Sequence, residues 1–347
     1  MDTRTLTSSP ALLPALARGA LLSPLRRPRS DAPVPSTRLV LPGVRVDLAR
    51  LAAYERVCGF ATGSRALPPT YPHVLGFPLA MRIMAGRGFP LPLLGLVHTS
   101  IEITQWSAPP VTAEYELAVH VERLVPHRRG TEARVLTEAR VDGGLVWESR
   151  STYLARHRRR DGDTAPEAAA TDPTGAGGTS GTSRTGGTGG TGRTGRTGGA
   201  TGTGGTGGTG GPSGTAGVGG TEDTSGAEGP RATGSTEGTS LPARAEWRLA
   251  GDVGRRYAAV SGDRNPIHLR PFTARLFGFP RAIAHGMWTV ARCLAEYGPQ
   301  GEVTVRADFR TPVLLPGTVT YAAEGPAFEL RDEDRVHLTG EVRPALW

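Results

Sequence analysis

From Arg156 to about Ser240 the chain reads HRRRDGD and then runs through Gly/Thr repeats such as TGGTGGTGRTGRTGG. A stretch like this has almost no apolar surface to offset the entropy of ordering its backbone, so it is expected to be a flexible linker. Glycine recurs locally at every third position, but the register breaks and proline is nearly absent, which excludes a triple helix. Whatever folds must come from the sequence on either side. The expected organisation is a loosely ordered lead-in over residues 1–37, a folded unit over 38–156, the linker over 157–241 and a second folded unit over 242–347. A length of 347 residues fits two domains.

The two flanks carry ordinary globular patterning. In the first, Leu48 to Gly59 has the spacing of a short helix with Leu51, Tyr54 and Cys58 on one face, and VLGFPLAMRIMAG is apolar nearly all round, as a buried helix is. From Leu94 to Ala155, segments such as TAEYELAVHVERL and TEARVLTEARVD alternate apolar with polar residues, the mark of half-buried antiparallel strands. In the second flank, EWRLAGDVGRRYAAVSG predicts a strand and a helix. PFTARLFG and HGMWTVARCLAEYG predict further helices, the latter with Met287, Val290, Ala291, Leu294 and Ala295 on one face. Antiparallel strands follow to the C-terminus.

The flanks also echo each other. Tyr54-Glu-Arg-Val-Cys58-Gly59-Phe60 has the spacing of Tyr257-Ala-Ala-Val-Ser261-Gly262-Asp263, and in each case a Pro-bearing loop, an apolar helix and strands come next. Phe60 stands where the second copy has a carboxylate, and no histidine follows it at the equivalent offset; His73 comes later, at the start of the apolar helix. The first copy is therefore expected to be structural. Its Phe77, Leu79, Met81 and Met84 suit either core or the lining of an apolar tunnel, with core favoured at helical spacing.

Composition sets few further limits. The formal net charge is +8 with no lysine at all, and without a recognisable nucleic-acid motif this excess argues for scattered solvated arginines rather than a nucleic-acid partner. Cys58 and Cys293 lack metal-ligand spacing and read as small buried hydrophobes in a reducing compartment. The N-terminal ALLPALARGALLSPL is interrupted by prolines and Arg18 and is too short to span a membrane. A cytoplasmic protein with no membrane partner is the expectation.

Chemistry concentrates between Tyr257 and Met287. Gly262 and Pro266 shape a rigid turn that carries Asp263, Asn265 and His268, and Ala284-His285-Gly286-Met287 opens a helix. A carboxylate and an imidazole on one short loop make an acid–base pair, and a glycine at a helix start offers a bare N–H to a developing oxyanion. The run YAAVSGDRNPIH, followed after five residues by Ala274, resembles the signature of MaoC-like (type 2, R-specific) enoyl-thioester hydratases and dehydratases, and IAHGM is similar to a second stretch typical of that family. The resemblance covers the C-terminal third closely and Leu39 to Ala155 loosely. It implies an α+β double hotdog, two tandem units each with a long helix wrapped by an antiparallel sheet.

The resemblance further implies hydration of trans-2-enoyl thioesters, or the reverse dehydration, with R configuration. The thioester would be carried by coenzyme A or an acyl carrier protein, without cofactor or metal. Asp263 and His268 are the expected catalytic pair, Asn265 orients them or the water, and Gly286 N–H is the expected oxyanion donor. His285 is expected to make a structural hydrogen bond, Ser261 to pack or cap, and Tyr257 to lie under the loop. Arg306, Arg310 and Arg331 are candidates for phosphate contacts. The arrangement is compatible with a homodimer of double hotdogs. A hotdog thioesterase, which would not need the Asp-x-Asn-Pro-x-His loop, and a non-catalytic acyl-binding subunit are the alternatives.

Overall fold

A computed structural model describes residues 1–157 and 241–346, apart from positions 27, 29, 30 and 300; the expected linker lies outside the described residues. The first flank contains β2 (Thr37–Arg45), α2 (Leu48–Cys58), α3 (Tyr71–Met84), β3 (Leu96–Gln105), β4 (Glu114–His127), β5 (Gly130–Val141) and β6 (Gly144–Arg156). The second contains β7 (Ala243–Leu249), α4 (Val253–Ser261), α5 (Pro266–Leu269), α6 (Pro271–Arg275), α7 (Gly286–Tyr297), β8 (Val303–Phe309), β9 (Gly317–Glu324), β10 (Ala327–Arg331) and β11 (Val336–Pro344). Ahead of both come β1 (Asp2–Thr5) and α1 (Leu12–Leu22).

All strands join one sheet, in the order β1-β2-β4-β5-β6-β3-β8-β11-β10-β9-β7. Read outward from its centre, each half repeats the same order, so β3 matches β8, β6 matches β11, β5 matches β10, β4 matches β9 and β2 matches β7. The halves meet where β3 pairs antiparallel with β8, from Ser100 opposite Asp308 to Gln105 opposite Val303. An edge strand from each unit is thereby covered by the other. Each half also wraps its sheet around one long helix, α3 or α7. This is a double hotdog.

The helices form where the apolar residues demand it. In α3 nearly every side chain is buried, Leu79, Met81 and Met84 among them, so these three are core; Phe77 is partly buried against the same core. Gly76 lets α3 approach β5 closely, since a Cβ there would lie 2.4 Å from Thr137 Cγ2. α7 buries Met287, Val290, Ala291 and Leu294, the predicted face. α2 and α4 pack on one another across the junction, and the repeated tyrosines Tyr54 and Tyr257 meet with ring centroids 6.0 Å apart. Two more cross-half bonds mirror each other. Arg50 Nε donates to the Val260 carbonyl at 2.6 Å, and Trp288 Nε1 donates to the carbonyl of Val57, the residue equivalent to Val260, at 2.9 Å.

The N-terminal segment corrects an expectation. Residues 1–37 are not a loose lead-in: β1 pairs in parallel with β2, and α1 packs on α3. The apolar run that is too short for a membrane is long enough for a helix, whose Leu12 and Leu16 rest on the core. Gly19 allows the approach, because a Cβ there would fall 2.2 Å from Leu93 Cδ2. Arg26 then pins the chain by donating to the carbonyls of Met84, Leu91 and Gly86. Both cysteines are free and fully buried. No helix among the described residues is long and apolar enough to cross a membrane.

Candidate active site

The site is built on the connection between α4 and α7. α4 ends on Gly262 in the left-handed region (φ 83°), where its N–H bonds to the Ala258 carbonyl. Ser261 Oγ donates to the Tyr257 carbonyl at 2.9 Å and accepts from Asp263 N–H at 3.2 Å, so the capping role expected of Ser261 turns the chain toward the site. Asp263 Oδ1 accepts from Asn265 N–H at 3.1 Å, an Asx turn that fixes the carboxylate. Asn265 Oδ1 caps α5 by accepting from Ile267 N–H, with Pro266 at the first helical position. Four residues of helix are enough to present His268 inward, where it is 8% exposed.

His268 donates Nδ1–H to the Ile283 carbonyl at 2.9 Å, which fixes the tautomer and leaves Nε2 with its lone pair. His285, directly before α7, stacks on His268 with ring centroids 3.7 Å apart. It donates Nε2–H to the Asp263 main-chain carbonyl at 3.0 Å, and the same nitrogen lies 3.9 Å from Asp263 Oδ2. The structural hydrogen bond expected of His285 is thus made, to the backbone of the candidate acid–base residue itself. Burial pushes the His268 imidazole below its ordinary pKa, with Asp263 and the Ile283 carbonyl pulling the other way. His285 is pushed well below, by burial and then by His268. Both shifts favour the neutral ring. The Asp263 side chain stays 28% exposed, the wet edge of the cluster.

Asp263, His268 and His285 bring one ligand-type atom each within 4.8 Å of one another. Such a trio has donor atoms a divalent cation accepts, and one nitrogen of each ring is held by a main-chain carbonyl, which leaves the other nitrogen of each available. The arrangement suits proton transfer: a carboxylate and a neutral imidazole lone pair within reach of one water. Gly286 is the first residue of α7, so no carbonyl of its own helix can accept its N–H. A Cβ at Gly286 would lie 2.8 Å from Phe309 Cε1, so only glycine leaves this helix start uncrowded.

The first half contributes groups that the sequence did not reveal. His98 stacks on Tyr153 (centroids 4.6 Å apart) and lies tilted against Phe309 (4.8 Å), the ring that lies on Gly286. Strict alternation would put His98 on the outer face with Ser100 and Glu102. A β-bulge between His98 and Ser100 turns it inward instead. Leu12 of α1 reaches the catalytic turn, its Cδ1 2.5 Å from where a Gly262 Cβ would sit. Tyr257 lies below the loop as expected, 4.9 Å from the His285 ring. Arg306, Arg310 and Arg331, the candidates for phosphate contacts, pair instead with Glu102, Asp308 and Glu329 on the strands.

This chain is 30% identical over 325 residues to 3-hydroxyacyl-thioester dehydratase X of Mycobacterium tuberculosis, a match covering 91% of the chain and 92% of the relative. It belongs to the MaoC-like dehydratase family. Residues 233–339 match the family model described as a MaoC like domain. The crystal structure of HtdX of Mycobacterium tuberculosis superposes with a TM-score of 0.61 at 28% identity, over 89% of this chain and 100% of that one. Peroxisomal enoyl-CoA hydratase 2 of Arabidopsis thaliana is 38% identical over 65 residues, 17% of this chain and 21% of the relative. This MaoC-like chain has Asp263, Asn265 and His268 on the loop of its second hotdog and Phe60 at the position of its first that matches Asp263.

Proposed function

We propose that the protein catalyses the R-specific hydration of trans-2-enoyl thioesters and the reverse dehydration of (3R)-hydroxyacyl thioesters. The observation that carries this reading is the convergence of the Asp263 carboxylate, the neutral His268 imidazole and the start of α7 on one half-buried spot. In the hydration direction a water held by Asp263 and His268 loses a proton to one of them as its oxygen attacks C3. The proton taken up is then delivered to C2, so the elements of water are added across the double bond. The thioester oxygen gathers charge as the enolate forms and takes the Gly286 N–H, where the helix dipole adds to the hydrogen bond. Removing such a donor costs ~3–4 kcal/mol of transition-state stabilisation. Asn265 serves the site by capping α5, which holds Asp263 and His268 in register.

The test follows loss of enoyl absorbance with crotonyl-CoA and a longer enoyl-CoA, then assigns the product with R- and S-specific 3-hydroxyacyl dehydrogenases. Hydration to the R product supports the reading. Release of free thiol without hydration would mark a thioesterase, and the S product would contradict the stereochemistry.

A further inference from the structure

We infer that the surface made by α6 and the turn after it docks an acidic acyl carrier protein, which presents the thioester to the catalytic loop on its prosthetic arm. This rests on the thioester reading above and settles the carrier within it. α6 starts at Pro271, three residues after His268, so anything seated on it stands at the edge of the site. Phe272 is 71% exposed, Leu276 69% and Phe277 40%. Three large apolar side chains exposed within one short stretch mark a contact surface rather than scattered surface hydrophobes.

Around this apolar ridge stand Arg255, Arg264, Arg270, Arg275 and Arg281, all exposed. Among the described residues none of the five has a carboxylate within ion-pair distance. Arg255, Arg275 and Arg281 donate instead to the main-chain carbonyls of Leu269, Pro280 and Pro316, which steadies their side chains and leaves their charge uncompensated. Between Gly251 and Gly286 the only carboxylates are Asp252, paired with Arg256, and Asp263 in the site. On or beside the sheet, by contrast, Arg150, Arg306 and Arg310 each face a carboxylate. A shallow, open depression lies between Arg255, Arg270, Pro271 and Phe272 beside the ridge.

Coenzyme A could meet some of the arginines through its phosphates and stack its single adenine on one ring, which leaves the rest of the Phe272, Leu276 and Phe277 ridge uncovered. A small acidic protein with apolar residues among its carboxylates satisfies both, and the charge also speeds its encounter.

The full-length protein is assayed with crotonyl-CoA and with the crotonyl thioester of a purified acyl carrier protein. Variants are Arg270→Glu/Arg275→Glu, Phe272→Ser/Leu276→Ser and, as a charge-matched control on the first half, Arg65→Glu/Arg87→Glu. Both patch variants are expected to raise KM for the carrier-bound substrate at least about tenfold, with crotonyl-CoA kinetics within about twofold and the control unchanged. Raising NaCl is expected to erode the wild-type preference for the carrier. Equal losses on both substrates, or no change with the carrier, overturn the docking site. So does a shift in sedimentation of the patch variants, which would make the ridge a contact between copies of this chain. Turnover of crotonyl-CoA alone by the wild type removes the carrier while sparing the thioester reading; turnover of neither removes both.

Discussion

The two hotdogs share strand order, helix placement and the tyrosine at their junction, yet only one carries the loop with Asp263 and His268. The divergence begins at a single residue. α2 and α4 both end on a left-handed glycine whose N–H returns to the carbonyl of Glu55 or Ala258. In the first half Phe60 N–H returns to the same Glu55 carbonyl, closing the turn on its own helix, and Cys58 lies buried beside it. In the second half Ser261 replaces that cysteine, and its hydroxyl takes the Asp263 N–H instead. The chain then departs through α5 and α6, filling residues 262–285, where the first half needs only 59–70. One polar atom at a helix end takes the N–H that the first half returns to its own helix, and the longer loop that follows carries Asp263, Asn265 and His268.

The comparison breaks most visibly if the halves are made alike. Asp263→Phe is expected to lower the hydration rate by ~10²–10⁴-fold. The reciprocal Phe60→Asp is expected to leave the rate within about twofold, because no histidine follows it at the offset that separates His268 from Asp263. Gly286→Ala comes next: the added methyl meets Phe309, and overpacking of this kind costs about 1–3 kcal/mol of stability along with a displaced N–H and a slower rate. Chemical denaturation alongside kinetics separates the two losses.

Much of this was legible in the sequence, and the part that was not has physical causes. The tandem repeat, the long helices and the Asp263–His268 turn follow from periodicity and Gly/Pro punctuation, which are local. The N-terminal helix was hidden by prolines and arginines that look like disorder, although Pro14 falls in the first turn, where a helix tolerates it. His98 was hidden because a bulge is not written in the alternation it interrupts. The stacking of His285 on His268 joins residues 17 apart in sequence and depends on the chain's return to α5, where Ile283 N–H donates to the Ile267 carbonyl.

Smaller effects sharpen the comparison. Ser261→Ala frees the Asp263 N–H to close as Phe60 does. A lost hydrogen bond of ~1 kcal/mol translates to a several-fold lower kcat, with KM little changed. The smallest concerns the first half alone. Burial pushes His98 down to about 3 and His73 to about 4, so the unfolded chain takes up protons first. Stability is full above the ordinary imidazole pKa of about 6.5 and falls as pH drops through it. His98→Phe removes one such group. Its stability loss between pH 7 and 4.5, read by urea unfolding, is expected to be smaller than the wild type's by on the order of 1 kcal/mol.

The central claim is that Asp263 and His268 act as one unit on one water. The direct measurement is kcat for crotonyl-CoA hydration by Asp263→Asn, His268→Ala and the double variant, each shown by unfolding to be as stable as the wild type. The account predicts deep losses in both single variants and a double variant no slower than the worse of them. Losses that multiply, or a single variant that keeps its rate, would contradict it.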